Sequence, residues 1–320
     1  MLGRTAGGLF WMFRYLERCE NTSRLVEAGF RIALTRNTAA EQEWMSVLDT
    51  ADVRKAYDDR YSGYNGENVI NFLLRDRSHP ASVNSMAEAA RTNARAVRTA
   101  LTREVFEAVN ENYLILRDAL AQPVRDRDLP AVLNTIRQQS ALVRGALHGT
   151  MLRNDIYDFA RLGTFLERAD NTARILDVKY YVLLPSVAHV GAALDNVQWE
   201  TILRALSSLR AYRWLTQDKM TAQGIGEFLI LDKRLPRSLA FCSAAITSNL
   251  GEIAKEYGEE TPSTQLAIEN ETRLTSKPIE KIMEFGLHET LMRSSVPTIR
   301  WPSRSNGITG SMSESSPHAA

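Results

Sequence analysis

The sequence is poor in cysteine, in net charge and in long apolar runs, and each shortage excludes a class of protein. Its two cysteines, Cys19 and Cys242, form no Cys-x-x-Cys motif and are too few for a disulfide framework in 320 residues. The formal net charge of +1 provides no single-sign field that would recruit nucleic acid or an acidic membrane surface. The longest uncharged run, residues 180–194, contains Pro185 and is shorter than a membrane-spanning helix requires.

The composition is otherwise that of a globular protein, because apolar residues make up 44% of the sequence. The first residues carry Trp11, Arg14 and Glu17 without a clean apolar run or a cleavage site, so they do not match a signal peptide. Both cysteines lie in apolar helical runs and are interpreted as small core residues rather than nucleophiles. We therefore expect a cytoplasmic protein that has neither nucleic acid nor a membrane as its partner.

Arginine outnumbers lysine by 32 to 7. One interpretation is a genome whose base composition favours arginine codons. The other is a need for the planar guanidinium group, which binds carboxylates and phosphates with two parallel hydrogen bonds.

Apolar residues recur at helical spacing in nearly every segment, and no alternating run bounded by turn residues predicts a strand. Pro80 and Pro236 each stand two residues before a serine, Ser82 and Ser238, at which an amphipathic run begins. We therefore predict an all-α bundle of about ten to twelve helices.

A nine-residue segment, Leu16–Arg24, returns as Leu166–Arg174 with six identical positions. Two further pairs of segments follow in the same order at offsets of 150 to 156, namely Trp44…Tyr57 with Trp199…Tyr212 and Phe72–Ser82 with Phe228–Ser238. Three matched segments in one order predict an internal duplication.

The duplication predicts two quasi-equivalent helical halves, residues 1–150 and 151–291, packed as one body. From residue 292 to residue 320 the sequence is rich in serine, proline and glycine and poor in apolar residues. Such a composition predicts a disordered C-terminal tail.

The repeated motif places polar side chains on one face of each helix, opposite the apolar stripe. The candidate cleft residues are Glu17, Arg18, Asn21, Arg24, Glu167, Arg168, Asp170, Asn171 and Arg174. They form either a solvated face with ion pairs worth a few tenths of a kcal/mol each, or two rows that meet across a covered cleft. In the second case buried charges must be paired, and we expect Glu17 near Arg174 and Glu167 near Arg24.

A second repeated pattern joins an aspartate to a proline and a serine six residues later. It is explained either by helix caps or by a helix N-terminus that holds an anion with help from nearby arginines. The secondary candidates, with a basic stripe found in the first half only, are Asp76, Ser82, Arg91, Arg95, Asp232, Arg237 and Ser238.

Familiar catalytic and metal-binding motifs are missing from the sequence. The five histidines are scattered, and there is no Glu-x-x-His, P-loop or Gly-x-Gly-x-x-Gly pattern. The sequence therefore assigns no catalytic residue, no metal site and no cofactor.

Four segments together carry a resemblance to a known family. They are Arg14–Arg18 with Asn21 and Arg24, Arg91–Arg95 followed by Glu104 and Asn110, Gly163–Asp177, and Phe228–Ser238. The chain resembles the bacterial alpha-E domain family of all-helical proteins, which is named for a recurrent Glu-Arg motif. Phe106 departs from the family pattern, in which a tryptophan precedes Asn110, and the replacement is conservative.

The resemblance implies a functional context. Alpha-E proteins look like companions of an ATP-grasp amidoligase-like protein and a transglutaminase-like cysteine peptidase, in a system that makes, attaches or trims a peptide or small amide. No catalytic residues are established for the family, so none is transferred to this sequence.

We therefore expect a non-catalytic accessory protein that binds a partner, or a peptide-like ligand bearing carboxylate or phosphate, at the Glu/Arg cleft. The first alternative is an enzyme in which Glu17 or Glu167 acts as general base or as ligand of a nucleotide-bound Mg²⁺. The second is a purely structural scaffold in which the charged rows are internal struts.

Overall fold

A computed structural model of the chain describes residues 3–35, 40–181, 193–217 and 220–276. Within these ranges the chain forms thirteen α-helices and a short 3-10 helix, Arg98–Ala100, and none of these residues lies in a strand. The helices are α1 Gly3–Thr35, α2 Ala40–Thr50, α3 Arg54–Asp58, α4 Gly66–Leu74, α5 Val83–Ala96, α6 Arg103–Ala119, α7 Leu129–Thr150, α8 Asp155–Tyr181, α9 Ala193–Ala205, α10 Leu209–Thr216, α11 Ala222–Leu231, α12 Leu239–Tyr257 and α13 Pro262–Thr275. The all-α prediction is confirmed.

The described residues form thirteen helices, close to the predicted number of about ten to twelve. The short helix α3 has five residues and α10 has eight, so neither presents enough turns for a helical period to be recognised.

Polar side chains at the first residue before a helix set many of the helix starts. Each accepts a hydrogen bond from the backbone N–H three residues further on, which satisfies one of the donors left free at a helix N-terminus. These capping residues are Asn65, Ser82, Thr102, Thr221, Ser238 and Thr261.

The apolar side chains form three clusters. One combines α4 and α5 with the middle of α1, a second combines α9 to α12 with the end of α8, and the third joins α5, α6, α7 and α12 around the first halves of α1 and α8. Members of the apolar stripes predicted for α1 and α8 are buried in these clusters, namely Met12, Leu16, Cys19, Val26, Leu162, Leu166 and Leu176.

Helix α1 lies in the middle of the bundle and packs against α8, α5, α7, α2 and α9. Because neighbours cover it on several sides, its polar face is enclosed as well as its apolar stripe. None of the described helices combines the length and the apolar character needed to cross a membrane.

The division at residue 150 falls between α7 and α8. The third apolar cluster contains residues from both sides of this division, such as Phe10 and Leu162. The duplication and the quasi-equivalence of the halves stay predictions. The tail at 292–320 lies outside the described residues, as does the end of the second half.

Candidate functional site

Helices α1 and α8 run parallel and approach each other closely. Phe10 meets Gly163 near their starts, and further along Ala28 shares an apolar cluster with Ile175. A Cβ atom on Gly163 would lie 2.2 Å from the carbonyl oxygen of Phe10. Only glycine fits here, and it brings the two Glu-Arg motifs within hydrogen-bonding distance of each other.

The two Glu-Arg motifs pair reciprocally across this contact. Arg168 of α8 donates to Glu17 of α1, from Nε to Oε1 at 2.8 Å and from Nη2 to Oε2 at 3.2 Å. In the opposite direction, Arg18 of α1 donates to Glu167 of α8, from Nε to Oε1 at 2.6 Å and from Nη2 to Oε2 at 2.8 Å. Arg14 adds a third bond to Glu167, at 3.0 Å. Both carboxylates are therefore held by two-pronged guanidinium contacts.

A third carboxylate, Glu20, extends the network to other helices. Its Oε1 atom accepts hydrogen bonds of 2.8 Å from Arg24 and from Arg237, and its Oε2 atom accepts one from Arg144 of α7. Arg237 also lies 3.0 Å from Glu17, and Arg144 lies 3.4 Å from it. We call these nine residues the seam: Glu17, Glu20, Glu167, Arg14, Arg18, Arg24, Arg144, Arg168 and Arg237.

The expected pairs of Glu17 with Arg174 and of Glu167 with Arg24 are wrong. Because α1 and α8 are parallel, Glu17 lies level with Glu167 and Arg168, while Arg174 lies about 10 Å further along α8 at 1.5 Å per residue. Arg174 instead pairs with Asp170 at 3.0 Å and with Asp52 at 2.8 Å.

The amide members of the candidate set are placed differently from each other. Asn21 is buried, and its Oδ1 atom accepts a hydrogen bond of 2.8 Å from Arg237. Asn171 is only half-buried and has no seam partner within the described residues. Asp170 pairs with Arg174, and neither residue makes a salt bridge to a seam residue within the described ranges, so the seam does not include Asn171, Asp170 or Arg174.

The seam has partners that the repeated motif did not indicate. Arg144 lies in the middle of α7, in a segment without any matched counterpart. Arg237 stands just before α12, and its backbone oxygen accepts a hydrogen bond of 2.7 Å from Thr172. The repeated Pro-x-Ser pattern indicated the segment of Arg237, but as a helix cap or an anion site and not as a partner of the Glu-Arg motifs.

Burial and charge act in opposite directions on the seam carboxylates. Burial alone would raise the pKa of Glu167, but the charges and hydrogen bonds of Arg18 and Arg14 lower it to about 2. Burial would likewise raise the pKa of Glu20, and the charges of Arg237, Arg144 and Arg24 lower it to about 2. Both side chains are therefore ionised at neutral pH.

The secondary candidates act mainly as caps and turns. Ser82 and Ser238 are fully buried, and each hydroxyl caps its helix by accepting from a backbone N–H. Asp76 accepts from the backbone N–H of Ser78 at 2.9 Å, and Asp232 accepts from that of Arg234 at 2.8 Å. These contacts favour the capping interpretation at both places.

The basic stripe on α5 does not converge on one ligand position. Arg91 donates to Oδ1 of Asn110 at 2.7 Å and lies 4.7 Å from the ring centre of Tyr113. Arg95 is exposed to solvent. Arg91 therefore supports the contact between α5 and α6.

The described residues offer little for metal or thiol chemistry. They contain no cluster of three or more histidine, cysteine, aspartate or glutamate side chains suited to a metal ion. Cys19 and Cys242 are free and buried, and burial raises the pKa of both thiols to about 12. At neutral pH both thiols are protonated and unreactive.

Comparison with known proteins agrees with the central place of the Glu-Arg pairs. Uncharacterized proteins of Mycobacterium bovis and of Mycobacterium tuberculosis H37Rv are each 24% identical to the chain over 299 residues. The match covers 88% of this chain but 33% of each relative, so the chain spans about a third of their length. No solved structure matches the chain significantly. Residues 1–297 match the model of the Alpha-E family, described as a predicted α-helical domain with a conserved ER motif, and the chain belongs to that family.

Proposed function

We propose that this protein is a non-catalytic accessory component of a peptide-ligation or peptide-modification system. In this proposal the seam binds a partner protein or a peptide-like ligand that carries a carboxylate or phosphate. The partners are an ATP-grasp amidoligase-like protein and a transglutaminase-like peptidase, and this part rests on the family resemblance alone. A cytoplasmic location is part of the proposal and fits two free, buried cysteines.

The excess of positive charge in the seam carries the proposal. Six guanidinium groups, from Arg14, Arg18, Arg24, Arg144, Arg168 and Arg237, surround three carboxylates, so these nine residues sum to +3. Uncompensated charge is costly away from water. The side chains of Arg18 and Arg144 accordingly remain 33% and 23% exposed. They offer an oxyanion donors that the carboxylates do not use.

The seam is poorly suited to the enzymatic alternative. Both oxygens of Glu17 and of Glu167 already accept hydrogen bonds from arginines. With a pKa of about 2, Glu167 is too weak a base for proton abstraction near neutral pH. A Mg²⁺ ion at either carboxylate would also lie beside several guanidinium groups, which repel it.

The scaffold alternative is supported by one specific observation. The side chains of Glu17 and Glu167 are only 1% and 4% exposed, so their pairing joins α1 to α8 whatever else the seam does. The binding function and the scaffold function differ in what they require at the exposed edge of the seam. A binding site for an oxyanion requires the surplus positive charge there, whereas a scaffold does not.

The test uses Arg144→Gln, which removes one accessible charge and leaves the reciprocal pairs intact. We expect a nucleotide or an acidic dipeptide to raise the melting temperature of the wild-type protein, and this rise to be lost in Arg144→Gln. The control is Arg103→Gln, because Arg103 is 82% exposed and pairs only with Glu107 among the described residues. Arg174→Ala is a poorer probe because Arg174 lies outside the seam.

The partner is tested by co-expression with an ATP-grasp amidoligase-like protein from the same genome. We expect the two proteins to co-purify at low salt, and Arg144→Gln to weaken the complex more than Arg103→Gln does. If neither ligand shifts the melting temperature of the wild-type protein, and no such partner co-purifies with it, only the structural scaffold remains.

A further inference from the structure

A polar cavity, separate from the seam, lies between α4, α5 and the end of α6. Its volume is about 580 Å³, which is within the usual range for small-ligand sites. The side chains on its wall include Asn71, Arg75, Asp76, Arg77, Asn84 and Arg117. None of the lining residues belongs to the seam, so an inference about this cavity is independent of the function proposed above.

One wall of the cavity is held in place by a chain of hydrogen bonds. Arg75 donates to the backbone oxygen of Leu120 at 3.0 Å and also to Oδ1 of Asn71. Asn71 donates from Nδ2 to the hydroxyl of Tyr61 at 3.0 Å, and Tyr61 donates to Oδ2 of Asp76 at 3.2 Å. These side chains are oriented before any ligand arrives.

Asn84, on the first turn of α5, takes no part in this chain of hydrogen bonds. It is 5% exposed, lines the cavity and makes no side-chain hydrogen bond to any described residue. In the repeated segment the matching position, 156 residues later, is Ala240, which is also buried but carries no polar group. The turn therefore does not itself require an amide.

Arg77 provides a free positive charge at the same cavity. Its side chain is exposed and pairs with no carboxylate among the described residues, whereas Arg117 is bound to Asp118 at 2.8 Å. Arg77 is thus the cavity cation that remains available to a ligand.

We propose that this cavity binds the C-terminal end of a short peptide. Arg77 would bind the terminal carboxylate, because guanidinium groups match carboxylates in shape and charge. Asn84 would bind the adjacent peptide group, because its carboxamide offers one acceptor for the peptide N–H and donors for the peptide C=O. A ligand with both groups satisfies the buried amide and the free cation together.

The test measures calorimetric binding of trialanine and of trialanine with an amidated C-terminus to the full chain. We expect the free acid to bind at least ten times more tightly than the amide. Arg77→Gln should weaken binding of the acid at least tenfold, while Arg95→Gln, at an exposed arginine of α5 that does not line the cavity, should leave it unchanged.

Asn84→Leu supplies the second variant, since it keeps the volume and removes the unpaired amide. We expect it to fold with an unchanged or higher melting temperature and to bind trialanine at least tenfold more weakly. Equal binding of acid and amide, no loss in either variant, or binding of inorganic phosphate as tight as that of trialanine would overturn the assignment. Loss in Arg144→Gln but not in Arg77→Gln would place the peptide at the seam and overturn it as well.

Discussion

Replacing Glu167 with glutamine should destabilise the protein by about 3 kcal/mol at pH 7. The folded-state pKa of about 2 lies below the ordinary value of 4.5, and this difference corresponds to about 3 kcal/mol. An independent estimate agrees, because removing one partner of a buried ion pair costs about 3–5 kcal/mol. Arg14 and Arg18 would then have no carboxylate opposite them. By the usual scaling of the unfolding entropy with chain length, the melting temperature should fall by roughly 5 °C.

The sign of the pH dependence gives a second readout of the same variant. Because the pKa of Glu167 is lowered by folding, its contribution is complete above pH 4.5 and is lost as the pH falls toward 2. Denaturant unfolding should therefore show a shallower loss of stability between pH 4.5 and 2 in Glu167→Gln than in the wild type.

The control for Glu167→Gln is Glu107→Gln, on the exposed pair with Arg103. Its side chain is 57% exposed, and such pairs contribute about 0–1 kcal/mol. If Glu167→Gln were no more destabilising than this control, the reasoning from burial and pairing would be refuted.

Four further substitutions, of which Gly145→Ala is a control, test other parts of the structure. Gly163→Ala should destabilise by about 1–3 kcal/mol, since its Cβ would lie 2.2 Å from the Phe10 carbonyl oxygen; Gly145→Ala, with nothing within 4 Å, should stabilise by up to about 1 kcal/mol. Asp158→Asn should raise the free energy of unfolding by about 1 kcal/mol at pH 7. Burial and nearby acidic groups raise the pKa of Asp158 from 3.8 to about 6. Folding therefore favours the protonated carboxyl, and the free energy of unfolding falls as the pH rises from about 4 to about 6. The full pKa shift corresponds to about 3 kcal/mol at pH 7, but partial exposure to water reduces this value. Ser207→Gly should stabilise by about 0.5–1 kcal/mol, because Ser207 has a φ of 55°. Chemical denaturation checks each value, and an opposite sign contradicts the corresponding reason.

The fold class and several helix starts followed directly from the sequence. Helical periodicity predicted an all-α chain, and the Pro-x-Ser patterns correctly predicted helices beginning after Ser82 and Ser238. These features are local, since a cap or an apolar stripe involves residues within a few turns of each other.

The partners of the seam residues could not be read from the sequence. The repeated motif indicated Glu17 and Glu167, but the choice between Arg168 and Arg174 depends on the direction and relative height of two helices. Arg144 lies more than 120 residues from the carboxylates that it binds in α1, and no local pattern marks it. Helical periodicity shows neither how two helices are oriented and aligned nor which distant arginine contacts a carboxylate.

The left-handed backbone conformation at two residues was not indicated by the sequence either. Asp52 and Ser207, with φ of 57° and 55°, follow α2 and α9 in similar turns, yet neither is the glycine that usually signals this conformation. Asp52 lies 2.8 Å from Arg174, which pairs there and not in the cleft expected of it.

The central claim, that the two Glu-Arg motifs hold each other, is tested most directly by double-mutant cycles in chemical denaturation. The cycles Glu17→Gln with Arg168→Met, and Glu167→Gln with Arg18→Met, should each give a coupling of about 1–3 kcal/mol. The cycle of Glu17→Gln with Arg174→Met should give less than about 0.5 kcal/mol, because these side chains lie at different levels. Couplings near zero in both reciprocal pairs, or a larger one to Arg174, would contradict the account.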